Sequence, residues 1–246
     1  MSVFALSDLH LAISTPEKSM EIFGPRWRDY HKRIWDNWNA AVRKEDLVLI
    51  PGDITWAAHL DDAKIDLNWI EELPGTKVIL KGNHDKWWPS SNKLSKALPP
   101  SIHFIYNSSF TWDHISIAGS RLWDTPEYSF DGIFDNEDQM PAKTNEDKED
   151  QEKVYQRELA RLETSLKTLD KKASFKIALT HYPPIGIDMK PSRATCLFEK
   201  YEVDIVVFGH LHSIKEHKRD LFGTLNNIRY LLAACDYLNC TPIKIL

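Results

Sequence analysis

Short apolar runs recur along the chain at residues 3–6, 47–50, 78–80, 177–179 and 205–208, and each ends in polar residues. Their brevity and β-branched content predict buried strands. Helical periods lie between several of them. Residues 30–42 place Ile34, Trp35, Trp38 and Val42 on one stripe. Residues 61–73 open on the pair Asp61-Asp62, read as a cap, and run to the stop signal Leu73-Pro74-Gly75. Strands alternating with helices predict α/β layering. The pattern then changes: residues 109–118 and 214–246 read as hairpins, with Asn226-Asn227 as a turn. A mixed sheet, or two sheets, fits better than a purely parallel one. A long helix lies between these hairpins, with Tyr155, Leu159, Leu162, Leu166 and Leu169 alternating at four and three residues. Such a stripe fits a helix laid on the core first, and a cap or a dimer contact second.

The residues that follow the five runs carry the chemistry. They are Asp8-Leu9-His10, Gly52-Asp53, Gly82-Asn83-His84-Asp85, Thr180-His181 and Gly209-His210-Leu211-His212. In open α/β sheets ligands bind beyond the carboxyl ends of strands, so the five clusters are expected at one site. Any one of them is weak: Asp-x-His arises by chance, a lone Gly-Asp is usually a turn, and an isolated histidine is more often packed than ligating. The ordered set is specific. Its carboxylates, imidazoles and carboxamide suit a first-row divalent metal such as manganese, iron or zinc. Without a thiolate it is not a structural zinc site of the cysteine type.

With Asp8, His10, Asp53, Asn83, His84, Asp85, His181, His210 and His212 in this order, the chain resembles the calcineurin-like metallophosphoesterases, dinuclear-metal phosphohydrolases. The contexts Gly-Asp-Ile-Thr-Trp and Asn-His-Asp-Lys-Trp-Trp resemble a bacterial group of that superfamily. The likeness covers about residues 2–123 and 175–246. It implies an α/β fold of two mixed β-sheets packed as a sandwich and flanked by helices, in four layers. The whole chain, 1–246, would then be a single metallophosphoesterase domain. The acidic loop and long helix would be an insertion at about 124–175. The resemblance implies two divalent metal ions, manganese first with iron or zinc as alternatives. Asp8, His10 and His212 would hold one, Asn83, His181 and His210 the other, and Asp53 would bridge them. A metal-bridging hydroxide would attack phosphorus in line, with His84 assisting the leaving group and Asp85 orienting His84. A loop-capping role for Asp85 is nearly as good a reading. Gly52, Gly82 and Gly209 would serve the sharp turns beside the metals.

Nine tryptophans need a place. Packing beneath the loops explains any one of them. Trp27, Trp56, Trp87, Trp88 and Trp123 lie near the motif loops, and two or three of them, Trp27 and Trp88 foremost, are the candidates for walls of a substrate pocket, with Arg26, Arg28 and Arg121 for contacts to a second phosphate.

Composition narrows the partners. The 246 residues carry a net charge of -5, and 42% are hydrophobic. Residues 131–152 hold nine acids against two lysines, a net -7 that leaves +2 for the remainder. The acidic stretch reads as a mobile surface loop. No basic excess advertises nucleic acid, so a small-molecule phosphate ester is the expected substrate. A metal-dependent nuclease is the alternative, and a non-catalytic interaction scaffold ranks last because every ligand position is filled. Three cysteines at 196, 235 and 240 cannot pair completely, no run approaches the roughly 18 apolar residues of a membrane span, and no signal-peptide pattern is present. A cytoplasmic protein is expected, and oligomeric state stays open.

Overall fold

Each predicted strand forms, and two sheets result. The computed structural model describes residues 1–135, 145–216 and 221–246. In chain order the strands are β1 (Val3–Ala5), β2 (Leu47–Ile50), β3 (Thr76–Ile79), β4 (Ile102–Phe104), β5 (Phe110–Trp112), β6 (Ile115–Ser120), β7 (Phe175–Thr180), β8 (Ile205–Phe208), β9 (Thr224–Leu225), β10 (Ile228–Leu232) and β11 (Ile243–Lys244). The α-helices are α1 (Tyr30–Ala41), α2 (Leu60–Glu71), α3 (Ser91–Ala97), α4 (Asn145–Leu166) and α5 (Arg193–Lys200). The chain divides into two compact units, Met1–Phe104 with Ala233–Leu246, and Ile105–Leu232.

The first unit holds a five-stranded sheet in the order β11-β1-β2-β3-β4. Strands β1 to β4 are parallel, and β11 lies antiparallel to β1. Helices α1, α2 and α3 make the crossovers that parallel strands require. Helix α1 buries Tyr30, Ile34 and Trp38, with Val42 just beyond its end. The indole of Trp38 donates to the Pro74 carbonyl at 2.9 Å, so its one polar atom is satisfied within the core. Helix α2 differs from expectation at its start. His59 occupies the cap position without a side-chain bond, and Asp61 and Asp62 fall in the first turn. There they oppose the positive end of the helix dipole instead of capping an amide.

The second unit holds a six-stranded sheet in the order β5-β6-β7-β8-β10-β9. Its four central strands are parallel, and each edge is an antiparallel hairpin. The β9–β10 turn is Asn226-Asn227, with φ of 49° and 65°. Two successive positive φ values are what a tight hairpin demands, and asparagine tolerates them best after glycine. Helix α4 lies against β6 and buries Tyr155, Leu162 and Leu166, with Leu169 buried just past its end. The predicted stripe is therefore spent inside this unit, on its own sheet. The expected acidic loop falls partly on residues 136–144, outside the described residues.

The predicted hairpin over 214–246 is half right. Strands β9 and β10 form it, but from Ala233 the chain belongs to the first unit. There β11 pairs with β1, a partner some 240 positions away that no local period can announce. No described helix is long and apolar enough to cross a membrane. The three cysteines are free thiols, Cys235 and Cys240 buried and Cys196 exposed.

Candidate metal centre

In the first unit the loops after β1 and β2 run on together past the sheet. Backbone bonds Asp8 N to Gly52 O and His10 N to Asp53 O, both 3.0 Å, continue as Leu11 N to Ile54 O at 2.9 Å. Asp8, His10 and Asp53 are thus held in register by main chain. All three are buried and have positive φ, at 58°, 44° and 52°. Non-glycine residues adopt this region seldom and at a cost, which the surrounding bonds must sustain. Their donor atoms gather. An Asp8 carboxylate oxygen lies within 4.8 Å of one from Asp53 and of a His10 ring nitrogen. His10 Nε2 is 3.7 Å from Asp53 Oδ2.

The loop after β3 joins them through two carboxylates. Asp53 Oδ1 accepts the His84 amide at 2.8 Å. Asp85 is buried and accepts from the amides of Gly82 and Ile54 at 2.8 and 2.9 Å, from that of Thr55 at 3.4 Å, and from the indole of Trp87 at 3.0 Å. Asp85 therefore does not orient the His84 ring. It ties the β3 loop to the β2 loop, the capping alternative raised by the sequence. Burial pushes its carboxyl up to about 6, the Asp53 charge adds to this, and the amides oppose it. Gly82 is required by closeness: a Cβ there would meet Asp53 Oδ1 at 2.0 Å. Gly52 is required by its φ of 104°.

Asn83 and His84 are half-buried. The His84 ring lies 5.6 Å from that of His10 and 4.4 Å from that of Trp56, and Trp56 stacks on His10 at 4.9 Å and 22°. A second support was not anticipated. Asp66, buried in α2, accepts from Ile13 N at 2.9 Å, Ser14 Oγ at 2.8 Å and Thr55 Oγ1 at 2.5 Å. It braces the same two loops from behind, and only its burial distinguishes it from other helical acids.

The second unit supplies imidazoles. His181 follows β7, its amide and that of Tyr182 donating to Arg121 O at 3.2 and 2.9 Å. Gly209 N donates to His181 O at 3.1 Å, joining the β8 loop. His181 is buried, and His210 and His212 are half-buried. The rings of His181 and His210 are 5.1 Å apart, and Tyr182 packs on His210 at 4.0 Å. His210 has a φ of 71°. The segment after His212 is pinned by Asp135 N to Ser213 O at 2.9 Å and Lys215 N to Ile133 O at 2.8 Å.

The donor chemistry of the first unit fits a divalent cation. Two buried carboxylates and an imidazole converge, an arrangement that is costly in a low dielectric until a cation balances it.

The family model for calcineurin-like phosphoesterases matches residues 1–213. The chain belongs to that family. A curated relative, Gene 66 protein of Mycobacterium phage D29, is 34% identical over 89 residues, 36% of this family member. The chain spans 42% of that relative's length. Among solved structures, phosphopantetheinyl hydrolase of Mycobacterium tuberculosis is similar with a TM-score of 0.53 at 13% identity, over 100% of this chain and 95% of that one. A protein of unknown function from Aquifex aeolicus aligns with a TM-score of 0.49 at 19% identity, over 99% and 95%.

The residues expected to contact substrate in this family member differ in burial. Trp27 is buried, edge-on to His10 at 6.0 Å and to Tyr30 at 5.5 Å. Trp88 packs on Trp87 and Phe104 in the core. Arg121 lies over Trp123 at 4.5 Å and 3.6 Å from the buried Glu158 of α4. Arg26 is half-buried and Arg28 exposed, and their carbonyls accept from Arg33. The indole that faces His84 is Trp56, which the sequence marks only by its place three residues after Asp53.

Proposed function

We propose that the protein is a metal-dependent phosphohydrolase that cleaves a phosphoester or pyrophosphate bond of a small molecule. One observation carries the reading: Asp8, His10 and Asp53 are buried together on interlocked loops, and the loop bearing His84 is bonded to Asp53. Family membership supports the rest. Asp8, His10 and His212 hold one divalent cation, Asn83, His181 and His210 a second, and Asp53 serves both. Bound divalent cations supply charge to offset that of the phosphoryl group and lower the pKa of water. Manganese suits the mixed oxygen and nitrogen donors.

The chain's own residues then divide the work. Asp53 accepts the His84 amide through Oδ1, which leaves Oδ2 toward His10. That bond fixes where the His84 backbone stands relative to the bridging carboxylate. The imidazole of His84, half-buried against Trp56, gives a proton to the departing oxygen. Asp85 and Asp66 are positioning residues, holding the loops through backbone amides and hydroxyls. The two units act as one domain, and the free thiols fit a reducing, cytoplasmic setting.

The test is metal analysis with turnover. Two equivalents of manganese and hydrolysis of p-nitrophenyl phosphate are expected. Asp53→Asn is expected to lose the activity and metal together. A protein that binds no manganese and stays inert when it is added would overturn the reading.

A further inference from the structure

The first unit contains a groove of about 450 Å³ lined by Glu17, Lys18, Ile22, Phe23, Trp56, Ala57, Ala58, His84 and Lys86. Its walls are mostly apolar. Ile22 and Phe23 are among the most exposed large hydrophobic side chains among the described residues, at 75% and 64%. Both lie in one short 3-10 turn, Met20–Phe23, beside the groove. Single exposed apolar residues need no explanation, but two such neighbours at the mouth of a cavity mark a binding surface.

The opposite wall is fixed. Trp56 N donates to Leu11 O at 2.9 Å, and Lys18 Nζ donates to Trp56 O at 3.2 Å. Its ring is stacked on His10 and packed against His84. Lys18 and Lys86 line the groove against a single acid, Glu17. A rim with one net positive charge suits entry of a phosphate ester and disfavours a cationic group.

His84 lines the groove. A group that protonates the departing oxygen sits on the leaving-group side of the phosphorus. The space that His84 lines is then where the departing alcohol lies. We propose that this groove is the leaving-group subsite and selects phosphate esters of alcohols with an extended apolar body. The body lies between Trp56 and the Ile22–Phe23 turn. The assignment rests on the leaving-group role of His84 given above.

The experiment compares octyl phosphate with ethyl phosphate in the manganese-loaded full chain. Their leaving alcohols have closely similar acidity, so the ratio of kcat/KM reads contacts to the chain rather than leaving-group chemistry. Octyl phosphate is expected to be favoured by at least about tenfold. The double variant Ile22→Ser with Phe23→Ser should bring the ratio close to one, and Trp56→Leu should reduce it. Ile65→Ser, which removes another exposed apolar side chain on α2, should leave the ratio as it was. Hydrolysis of both esters with a ratio near one in the unaltered protein would overturn the subsite while the phosphohydrolase reading stands. So would a high ratio that the double variant retains. Absence of hydrolysis of either ester, with manganese bound, would overturn the phosphohydrolase reading and the subsite with it.

Discussion

The two units present their candidate ligands in opposite ways. In the first, Asp8, His10 and Asp53 sit on loops bonded to each other, with strained backbone at all three and two carboxylates held close. In the second, the side chains are imidazoles, on loops joined by the bonds His181 N to Arg121 O and Gly209 N to His181 O, with the ring of Tyr182 on His210. Anionic donors in a buried place repel one another until a cation arrives, so their loops must be braced in advance. Imidazoles carry no negative charge and add no such repulsion. The lesson is that the carboxylates ride on loops interlocked through their main chains.

Several substitutions would break or sharpen this contrast. The largest effect is expected at Asp53. Asp53→Asn should lower kcat/KM with manganese by about 10³-fold or more, judged against the loss of one electrostatic contact to a transition state. Next comes Asp85→Ala, which strips acceptors from the Gly82 and Ile54 amides and the Trp87 indole. It should destabilise the protein by about 3 kcal/mol in chemical denaturation, since each buried donor left unmade costs roughly 1–3 kcal/mol. Asp85→Asn should recover part of that loss.

The contrast in charge gives a change of sign. In a chelator, Asp53→Asn should stabilise the protein by about 1 kcal/mol, because it relieves repulsion between two buried carboxylates. With manganese the order should invert, and thermal melts in the two conditions check it. His181→Asn should show no gain in the chelator. If it gains equally, the contrast drawn here is wrong. In the second unit, Tyr182→Leu should cost about 1 kcal/mol, the scale of one ring-ring contact, and lower activity less than Asp53→Asn does.

The smallest effect is a pH slope remote from the ligands. Lys77 is buried in β3, where it bonds the Leu73 carbonyl and donates to Ser101 Oγ at 3.0 Å. Burial lowers its ammonium from the ordinary 10.5 to about 8. Between about 8 and 10.5 the unfolded chain therefore binds more protons than the folded one, so stability should rise with pH across that window. Lys77→Met should flatten the slope in denaturation series at increasing pH.

Much of the fold was legible because its signals are local. Runs at 47–50 and 205–208 match β2 and β8 to the residue, and the clusters after them name their own chemistry. What escaped depends on distant partners. Strand β4 reads Ile-His-Phe, with a polar residue that hides its pairing to β3. Asp66 looks like any acid on a helix until the loops it braces are seen. Arg121 looks free for a phosphate, yet a glutamate from α4 lies beside it. Trp27, Trp56 and Trp88 are equal in sequence, and tertiary packing alone separates the one facing His84 from the two in the core.

The pairing of β1 with β11 sets an order of events as the chain is made. The second unit is continuous, and its sheet can close as soon as residue 232 has emerged. The first cannot, because Ser7 donates to Ala233 and β1 is flanked by β11. At cellular rates of roughly 5–20 residues per second, the 105–232 stretch keeps the edge of β1 open for on the order of ten seconds. During that interval Leu6 and Leu9, fully covered in the finished protein, sit beside an unpaired strand edge. The loop that carries Asp8 and His10 is thus made before the second unit and completed only after it.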